Sequence, residues 1–253
     1  MRATNTNSAL ISVDWPLTSV VAFSTTRLSP SGSKQSQSPF NDFNIATHVD
    51  DELADVLVNR KSLAQYLPPG TQIQWLNQIH GNHVATIEQF TEAIPDADAA
   101  ITSKKNIALA IMTADCLPIL LIDELNQEIA AIHAGWRPLA KQIIDNTVKQ
   151  MSGEPSNIKA WLGPCISAQS FEVGKDVFET FIQLDPQLTA GFTAQKDGKY
   201  LADLQFIAEY QLRHLGLVDI ACDRSCTYID ETRFYSYRRD GATGRMATII
   251  CLK

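Results

Sequence analysis

Six short stretches of the chain are almost entirely apolar, without the strict alternation of apolar and polar residues that marks a half-exposed strand. Continuous apolar runs of this length are typical of β-strands that are buried on both faces. Strands of this kind need another layer of structure on each side. The six predicted strands span residues 20–25, 107–112, 119–122, 129–132, 158–162 and 246–252.

Apolar residues spaced three or four positions apart predict helices between some of these strands. Pro138 suits the first position of one helix and Gly153 its end, while Asp203 suits the cap of another that ends at Gly216. Because helices and strands do not alternate regularly, their order predicts an α+β fold, a layered sandwich with mixed sheets, rather than a doubly wound parallel sheet. The helices are predicted at residues 51–67, 138–151, 175–184 and 203–216. The stripe of the first comprises Leu53, Val56, Leu57, Arg60, Leu63 and Ala64.

Composition indicates a globular protein, and the length allows one large domain or two small ones. Because the only low-complexity stretch lies near the start and no internal repeat is evident, we expect one domain over residues 1–253. The chain has 45% hydrophobic residues and a net charge of −7, and this excess of acid argues against nucleic acid as the main partner. Residues 29–39, SPSGSKQSQSP, contain no apolar residue to bury and predict an exposed loop. We expect residues 1–7 to be disordered.

The sequence favours a cytoplasmic protein without a membrane partner. The polar N-terminus shows no apolar signal segment, and Asp115 and Pro118 interrupt the longest apolar stretch, 107–122, which is too short to cross a bilayer. The five cysteines are irregularly spaced, as expected for reduced thiols rather than a disulfide framework.

Three segments each place a candidate metal ligand at the predicted end of a buried strand. They are NQIHG with His80, TADCLP with Cys116 and HAGWR with His133. Side chains at strand ends converge on a site without disturbing the core. His83 follows His80 by three residues and points to the opposite face in an extended chain, so we expect only one of them to serve. The common nucleotide-binding, zincin and α/β-hydrolase signatures are missing from the chain.

One cysteine and two histidines are suitable ligands for zinc, and three protein ligands leave a fourth position for water, as in catalytic zinc sites. Asp115 or Gln78 is then expected to orient that water or to transfer its proton. The spacing is equally compatible with an inert buried thiol and two solvated imidazoles.

Arginines at several positions are candidates for binding an anion such as phosphate. Arg137 lies at the predicted N-terminus of a helix, where free N–H groups face an anion, although an ion pair with Asp115 is the alternative. The segment RRDGATGR (238–245) combines three arginines with two glycines, and the alternative there is a basic surface turn. The candidate arginines are Arg60, Arg137, Arg238, Arg239 and Arg245.

These residues belong to a longer series of motifs through which the chain resembles the YfiH family, also called the laccase-domain or polyphenol-oxidase-like family. The resemblance covers roughly residues 20–252. Two positions depart from the family pattern, because Pro138 and Ser167 replace the usual glycines. The motifs include FNIATHVDD (43–51), NQIHG (77–81), DAAIT (98–102), MTADCLPILL (112–121), AAIHAGWR (130–137), WLGPCI (161–166) and FYSYRRDGATGRMA (234–247).

The resemblance implies an α/β/β/α fold of the type grouped with cysteine hydrolases, and a zinc ion held by His80, Cys116 and His133. Copper is expected only as an adventitious substitute. The implied activities are phosphorolysis of adenosine, inosine, guanosine and methylthioadenosine, together with adenosine deamination, so that a nucleoside and phosphate are the expected partners. The family role of His48, within FNIATHVDD, stays open.

Three alternatives stay open at this point. A hydrolase with Cys116 as nucleophile and His80 or His133 as base agrees with the link of some members to the editing of peptidoglycan precursors. A copper oxidase matches the older family label, but five histidines without an H-x-H pair are too few for a multicopper centre. A non-catalytic zinc module would show four protein ligands instead of three.

Overall fold

The computed structural model describes residues 9–32 and 34–253, so the expectation of disorder in residues 1–7 lies outside the described residues. The strands are β1 Leu10–Ser12, β2 Val20–Thr25, β3 Gln72–Gln74, β4 Val84–Thr86, β5 Ala99–Thr102, β6 Ile107–Thr113, β7 Leu117–Asp123, β8 Glu128–Ala134, β9 Ile158–Leu162, β10 Glu172–Val173, β11 Phe192–Ala194, β12 Tyr200–Ala202, β13 Asp219–Cys222 and β14 Met246–Leu252. The helices are α1 Leu53–Ala64, α2 Trp136–Ala140, α3 Ile143–Gln150, α4 Lys175–Leu184, α5 Leu204–His214 and α6 Tyr237–Asp240.

Two large sheets form the centre of the molecule. The first has the order β1-β2-β14-β6-β3 and is antiparallel except for the pair β3 and β6. The second has the order β13-β9-β7-β8-β5-β4 and is parallel only at its two outer pairs. A small antiparallel sheet, β10-β12-β11, lies apart from them.

Alternate residues of the central strands face different layers, which explains why whole runs are apolar. In β6, Leu109 packs between the two large sheets, whereas Ala108 faces the outer layer that contains α1. In β7, Leu120 packs between the sheets, whereas Ile119 faces the helices α2 to α5. The layers therefore follow the order helix, sheet, sheet, helix, and the predicted α+β sandwich with mixed sheets is confirmed.

Most predicted elements agree with the structure. The strands 20–25, 158–162 and 246–252 and the helix 175–184 match residue for residue, and the other predicted strands are longer by one to three residues. The Asp203 side chain accepts from the N–H of Phe206, as a cap does, and Gly216 follows the helix at φ 101°. Over the residues that the structure describes, no helix has the length and apolar character to cross a membrane.

The helix predicted at 138–151 is wrong in its outline. The chain enters α2 at Trp136, so Pro138 is the third helical residue and not the first. Its missing N–H costs nothing there, because the first four N–H groups of a helix have no partner within it. At Gln142 the backbone turns to φ 61° and separates α2 from α3. Two short helices therefore replace the predicted single one.

The predicted face of α1 is only partly correct. Val56 and Leu63 are buried, but Leu53 and Leu57 are 56% and 52% exposed. The inner face instead contains Asn59, whose amide donates to Ser36 Oγ and to the Asn44 carbonyl. Ser36 belongs to the segment 29–39, in which the described residues form neither helix nor strand.

Candidate metal centre

Three segments that are far apart in the sequence bring His80, Cys116 and His133 together. His133 is the sixth residue of β8 and is buried, whereas Cys116 occupies the turn between β6 and β7. His80 lies in the loop six residues beyond β3, so its predicted position at the end of a buried strand is wrong. One ligand atom from each side chain lies within 4.8 Å of the other two.

The buried carboxylate of Asp98 supports both histidines. The Nδ1–H of His133 donates to Oδ1 of Asp98 at 2.7 Å. The backbone N–H groups of His80 and Gly81 donate to the same carboxylate at 3.0 and 2.6 Å. These two bonds hold the loop in which His80 has φ 57°, a value that is uncommon for a residue with a side chain. Asp98 therefore fixes the tautomer of His133, which leaves Nε2 available, and it also fixes the turn that carries His80.

Sequence reasoning misses Asp98, although one signal for it exists. The residue directly precedes the fully buried strand β5. A carboxylate at such a position needs buried hydrogen-bond partners, because leaving it unpaired costs several kcal/mol. That argument indicates that Asp98 has partners without identifying them.

Gly135 leaves space beside the ligand atoms. A Cβ atom at this position would lie 2.8 Å from Sγ of Cys116 and 3.6 Å from Nε2 of His133. A side chain at Gly135 would therefore press on two of the three ligands. The donor set, the oriented imidazole and this space together fit a metal ion with three protein ligands.

The ligands perturb one another's protonation. Burial alone would raise the pKa of Cys116, but the charge of His133 and hydrogen bonds from both histidines outweigh burial and lower the pKa to about 6. Burial also disfavours the imidazolium of His133, yet the Cys116 thiolate and the bond to Asp98 raise its pKa to about 9. Without a metal, both shifts favour the thiolate of Cys116 and the imidazolium of His133. The thiolate is the form of cysteine that binds metals.

Both oxygens of Asp115, an expected catalytic residue, bond to the segments that surround the site. They accept from the backbone N–H of Arg238 at 2.7 Å and from the hydroxyls of Thr227 and Ser236 at 2.7 and 3.0 Å. Since Asp115 precedes Cys116, these bonds tie the cysteine turn to residues 227–238.

Gln78, the other expected catalytic residue, is held against the backbone of β6. Its amide donates to the carbonyl of Met112 and accepts from the N–H of the same residue, both at 2.8 Å. Gln78 thereby anchors the loop that carries His80. His83 lies outside the ligand group, and its Nδ1 contacts the carbonyl of Asp96 at 2.7 Å.

Two of the candidate arginines stack on aromatic rings near the site. The Arg137 guanidinium lies 4.5 Å from the centre of the Trp136 ring. Arg238 lies 5.2 Å from the centre of the Phe171 ring and donates to the carbonyl of Glu172. Among the described residues, Arg137 forms no ion pair with Asp115, whose oxygens accept from Thr227, Ser236 and Arg238 instead.

Arg239, in contrast, uses its whole guanidinium group for contacts within the protein. Its guanidinium forms an ion pair with Asp240 at 2.7 Å and is largely buried. The remaining N–H groups donate to three backbone carbonyls at 2.9 Å, those of Thr227, Tyr228 and Phe234. This side chain has no donor left for a ligand.

Two cavities meet at the ligand group, where they share His80, Ala114, Cys116 and Tyr237. The first, here named the cationic cavity, has a volume of about 310 Å³ and is bordered by His48 and Arg245. The second, here named the aromatic cavity, has a volume of about 200 Å³. Its walls include Trp136, Arg137, Ile166, Phe171, Leu204, Tyr237 and Arg238.

The fold and this site define a four-layer α+β protein in which a His-Cys-His group that could hold a metal ion lies where two cavities meet. The chain matches a family model described as multi-copper polyphenol oxidoreductase laccase over residues 21–253. It is 40% identical over 248 residues to proteins of Shigella flexneri and Escherichia coli, both named purine nucleoside phosphorylase YfiH, covering 97% of this chain and 99% of each relative. The chain therefore belongs to this laccase-like YfiH family.

Solved structures agree with that assignment. A Neisseria meningitidis protein superimposes with a TM-score of 0.91 at 39% identity, over 97% of this chain and all of the other. YlmD from Geobacillus stearothermophilus superimposes with a TM-score of 0.86 at 28% identity, over 98% of this chain and 97% of that one.

Proposed function

We propose that this chain is a zinc-dependent purine nucleoside phosphorylase that acts on adenosine, inosine, guanosine and methylthioadenosine in the cytoplasm. The observation that carries the proposal is the position of His80, Cys116 and His133 where the cationic and aromatic cavities meet. The names of the relatives in Shigella flexneri and Escherichia coli support the reaction class.

The two cavities suit the geometry of phosphorolysis. In this reaction a phosphate oxygen forms a bond to C1′ of the ribose while the bond from C1′ to N9 of the purine breaks, and the leaving purine takes up a proton. Phosphate and purine must therefore lie on opposite sides of the ribose. A cationic cavity and an aromatic cavity on either side of one group of ligands provide such an arrangement.

The aromatic cavity is suited to the purine. Trp136, Phe171 and Tyr237 offer ring faces, and a planar heterocycle gains from stacking on them as well as from the burial of its apolar area. Arg137 and Arg238 lie at the same wall, where their N–H groups can donate to the acceptor atoms of the base.

The three ligands fit zinc. A zinc ion with three protein ligands keeps a fourth position open, polarises an oxygen bound there and lowers the pKa of a bound water. His80, Cys116 and His133 would hold it, Asp98 would keep the His133 ring in place, and Gly135 would leave room beside it. Adenosine deamination, the second activity we propose, would place C6 of the adenine next to this group in place of C1′ of the ribose.

A multicopper oxidase would need further ligands. Within the described part of the chain, His80, Cys116 and His133 are the only group of three or more His, Cys, Asp or Glu residues with metal-binding spacing. A single group of three ligands lacks the additional imidazoles of a trinuclear copper centre. We therefore expect zinc as the resident metal, with copper as an adventitious substitute.

A cysteine hydrolase, acting for example on peptidoglycan precursors, is the second candidate. The specific observation in its favour is that the pKa of Cys116 is lowered to about 6 beside His133, which makes a nucleophilic thiolate in metal-free protein. Zinc would compete with this role, because a metal-bound thiolate is a poor nucleophile. The two candidates therefore predict opposite effects of chelation on activity.

The test is a product assay on protein of measured metal content. Zinc-loaded protein is incubated with inosine, with and without inorganic phosphate, and hypoxanthine and ribose 1-phosphate are quantified. We expect both products only with phosphate, none with His80→Ala, and wild-type yields with the matched control His83→Ala. Zinc-loaded protein that leaves inosine, adenosine and guanosine intact in phosphate contradicts the proposal.

A further inference from the structure

Arg245 borders the cationic cavity without an acidic partner. The residue is largely buried, and its guanidinium donates through Nη1 to the backbone carbonyls of Thr243 and Gly244 at 2.8 and 3.0 Å. No carboxylate of the described residues lies within 4.0 Å of it. Burial lowers the pKa of Arg245, and the more distant negative charges of Cys116 and Asp115 only partly offset that effect.

Arg60 approaches the same region from α1 and also lacks an acidic partner within the described residues. Its Nε donates to the carbonyl of Ile45 at 2.8 Å, and its guanidinium stacks on Trp75 at 3.9 Å. Burial lowers the pKa of Arg60 to about 10. Together with His48 it borders a cavity of about 270 Å³ that adjoins the cationic cavity.

His48 links the two arginines, because it borders both cavities. Its pKa is lowered by burial and then by the charges of Arg245 and Arg60, so both guanidinium groups lie within electrostatic range of the ring. The residues that line the two cavities include no Asp or Glu.

This arrangement differs from that of the nearby Arg239. Arg239 comes from the same segment as Arg245, but its charge is compensated by Asp240 at 2.7 Å. Burying a cation without a paired counterion has a high desolvation cost, and an anion that binds beside the cation offsets part of that cost. Guanidinium groups form paired, charge-assisted hydrogen bonds with phosphate oxygens in particular.

We propose that His48, Arg60 and Arg245 form a preformed pocket that binds inorganic phosphate, independently of both the metal and the nucleoside. This proposal rests on the proposed function in one respect only, because phosphorolysis is what identifies the anion as phosphate. The two arginines bind phosphate oxygens, and the His48 ring, which borders both cavities, is a further hydrogen-bonding group. Arg137 and Arg238 are left to the purine on the other side of the ligand group.

Calorimetric titration with inorganic phosphate, at constant ionic strength and without nucleoside, tests the pocket. We expect saturable binding to both zinc-loaded and zinc-depleted protein. Arg245→Gln and Arg60→Gln should each weaken binding at least about tenfold, because each removes charge-assisted hydrogen bonds. The matched control is Arg213→Gln, which removes an exposed arginine that pairs with Glu209 on α5 and should leave phosphate affinity unchanged.

Three results would overturn the pocket. They are phosphate binding that is lost when zinc is removed, phosphate affinity that is unchanged in both variants, and a loss of phosphate affinity in Arg213→Gln as large as that in the two variants. Arg245 also holds two backbone carbonyls, so circular dichroism and thermal unfolding must show that its variant is folded. Arg60→Gln, on a different element, provides the independent test. If phosphate binds as expected but no nucleoside is cleaved, the proposed function fails while the pocket stands. If Arg245→Gln and Arg60→Gln both cleave inosine with the same KM for phosphate as the wild type, the pocket fails while the function stands.

Discussion

Cys116 and Cys165 are neighbours in the fold but have opposite chemistry. Cys116 directly precedes β7 and Cys165 follows the adjacent strand β9, and the N–H of Ile166 donates to the carbonyl of Asp115 at 2.9 Å. Burial acts on both thiols, and it raises the pKa of Cys165 well above its ordinary value. At Cys116 the two histidines reverse that effect.

The difference shows that position at the end of a buried strand does not by itself define a ligand. Cys165 is 2% exposed, and its carbonyl accepts from the N–H of Thr227 at 3.0 Å, so the residue acts as part of the core. The thiolate form of Cys116 is favoured because His80 and His133 converge on it from two other segments. The chemistry that suits Cys116 to a metal ion therefore depends on those imidazoles and on Asp98, which fixes them.

The largest expected effect is that of removing the thiolate. Cys116→Ser should reduce bound zinc from about one equivalent to none and abolish phosphorolysis, because a hydroxyl does not ionise at neutral pH to replace the thiolate. Cys165→Ser should retain both the metal and the activity. Metal analysis and the inosine assay measure the two outcomes. Zinc that stays bound to Cys116→Ser while activity disappears would instead favour the cysteine hydrolase.

A smaller effect is expected when the support of the imidazoles is weakened. Asp98→Asn should lower zinc affinity about 10- to 100-fold, because the neutral amide no longer orients and polarises His133 as a carboxylate does. Competition with a chelator of known affinity measures the change. Asp96→Asn, an exposed carboxylate that accepts from Asn77, is the matched control and should have wild-type affinity. Equal zinc affinities in wild type and Asp98→Asn would show that Asp98 does not support the metal ligands.

When the metal is removed, the alkylation rates of Cys116 and Cys165 should also differ in their dependence on pH. Only the thiolate reacts with iodoacetamide, and the pKa of Cys116 is about 6, so its alkylation rate should be half-maximal near that pH and level by about pH 8. As the pH falls through 6 the reaction should slow. Cys165 should stay unreactive over this range, because its pKa is raised.

Peptide mass spectrometry at intervals follows both sites in one sample, and added zinc should protect Cys116. A Cys116 rate that still rises towards pH 9, as for an ordinary thiol, would contradict the assigned effect of the histidines.

The smallest expected effect concerns stability at Cys165. Cys165→Ala removes one buried sulfur atom and should lower the free energy of unfolding by about 1 to 2 kcal/mol, without changing zinc content. Urea unfolding of the zinc-loaded protein measures the difference. A loss of zinc in this variant would show that the two regions are not independent.

The sequence predicts the central strands well and the outer elements less well, for physical reasons. Strands that are covered on both faces are mainly apolar, which makes them recognisable in the sequence, and 20–25, 158–162 and 246–252 agree with the structure. The break between α2 and α3 lies at Gln142, a residue type that does not mark a helix end. The inner face of α1 is fixed by hydrogen bonds of Asn59 to distant segments, which no local spacing reveals.

The candidate site shows the same division. The residue types of His80, Cys116 and His133 are recognisable in the sequence, and the structure brings them together. The role of Asp98 depends on a contact between β5 and β8, and the unpaired state of Arg60 and Arg245 depends on which acids lie nearby. Sorting Arg239 from Arg245, six residues apart, requires the tertiary structure.

The central claim is that a zinc centre between two cavities carries out phosphorolysis, and the yield of hypoxanthine from inosine tests it most directly. Zinc-loaded protein should release one hypoxanthine for each ribose 1-phosphate, only in the presence of inorganic phosphate, and should lose this activity on chelation and regain it with zinc. Release of hypoxanthine without phosphate, or at an undiminished rate after complete removal of the metal, would contradict the account.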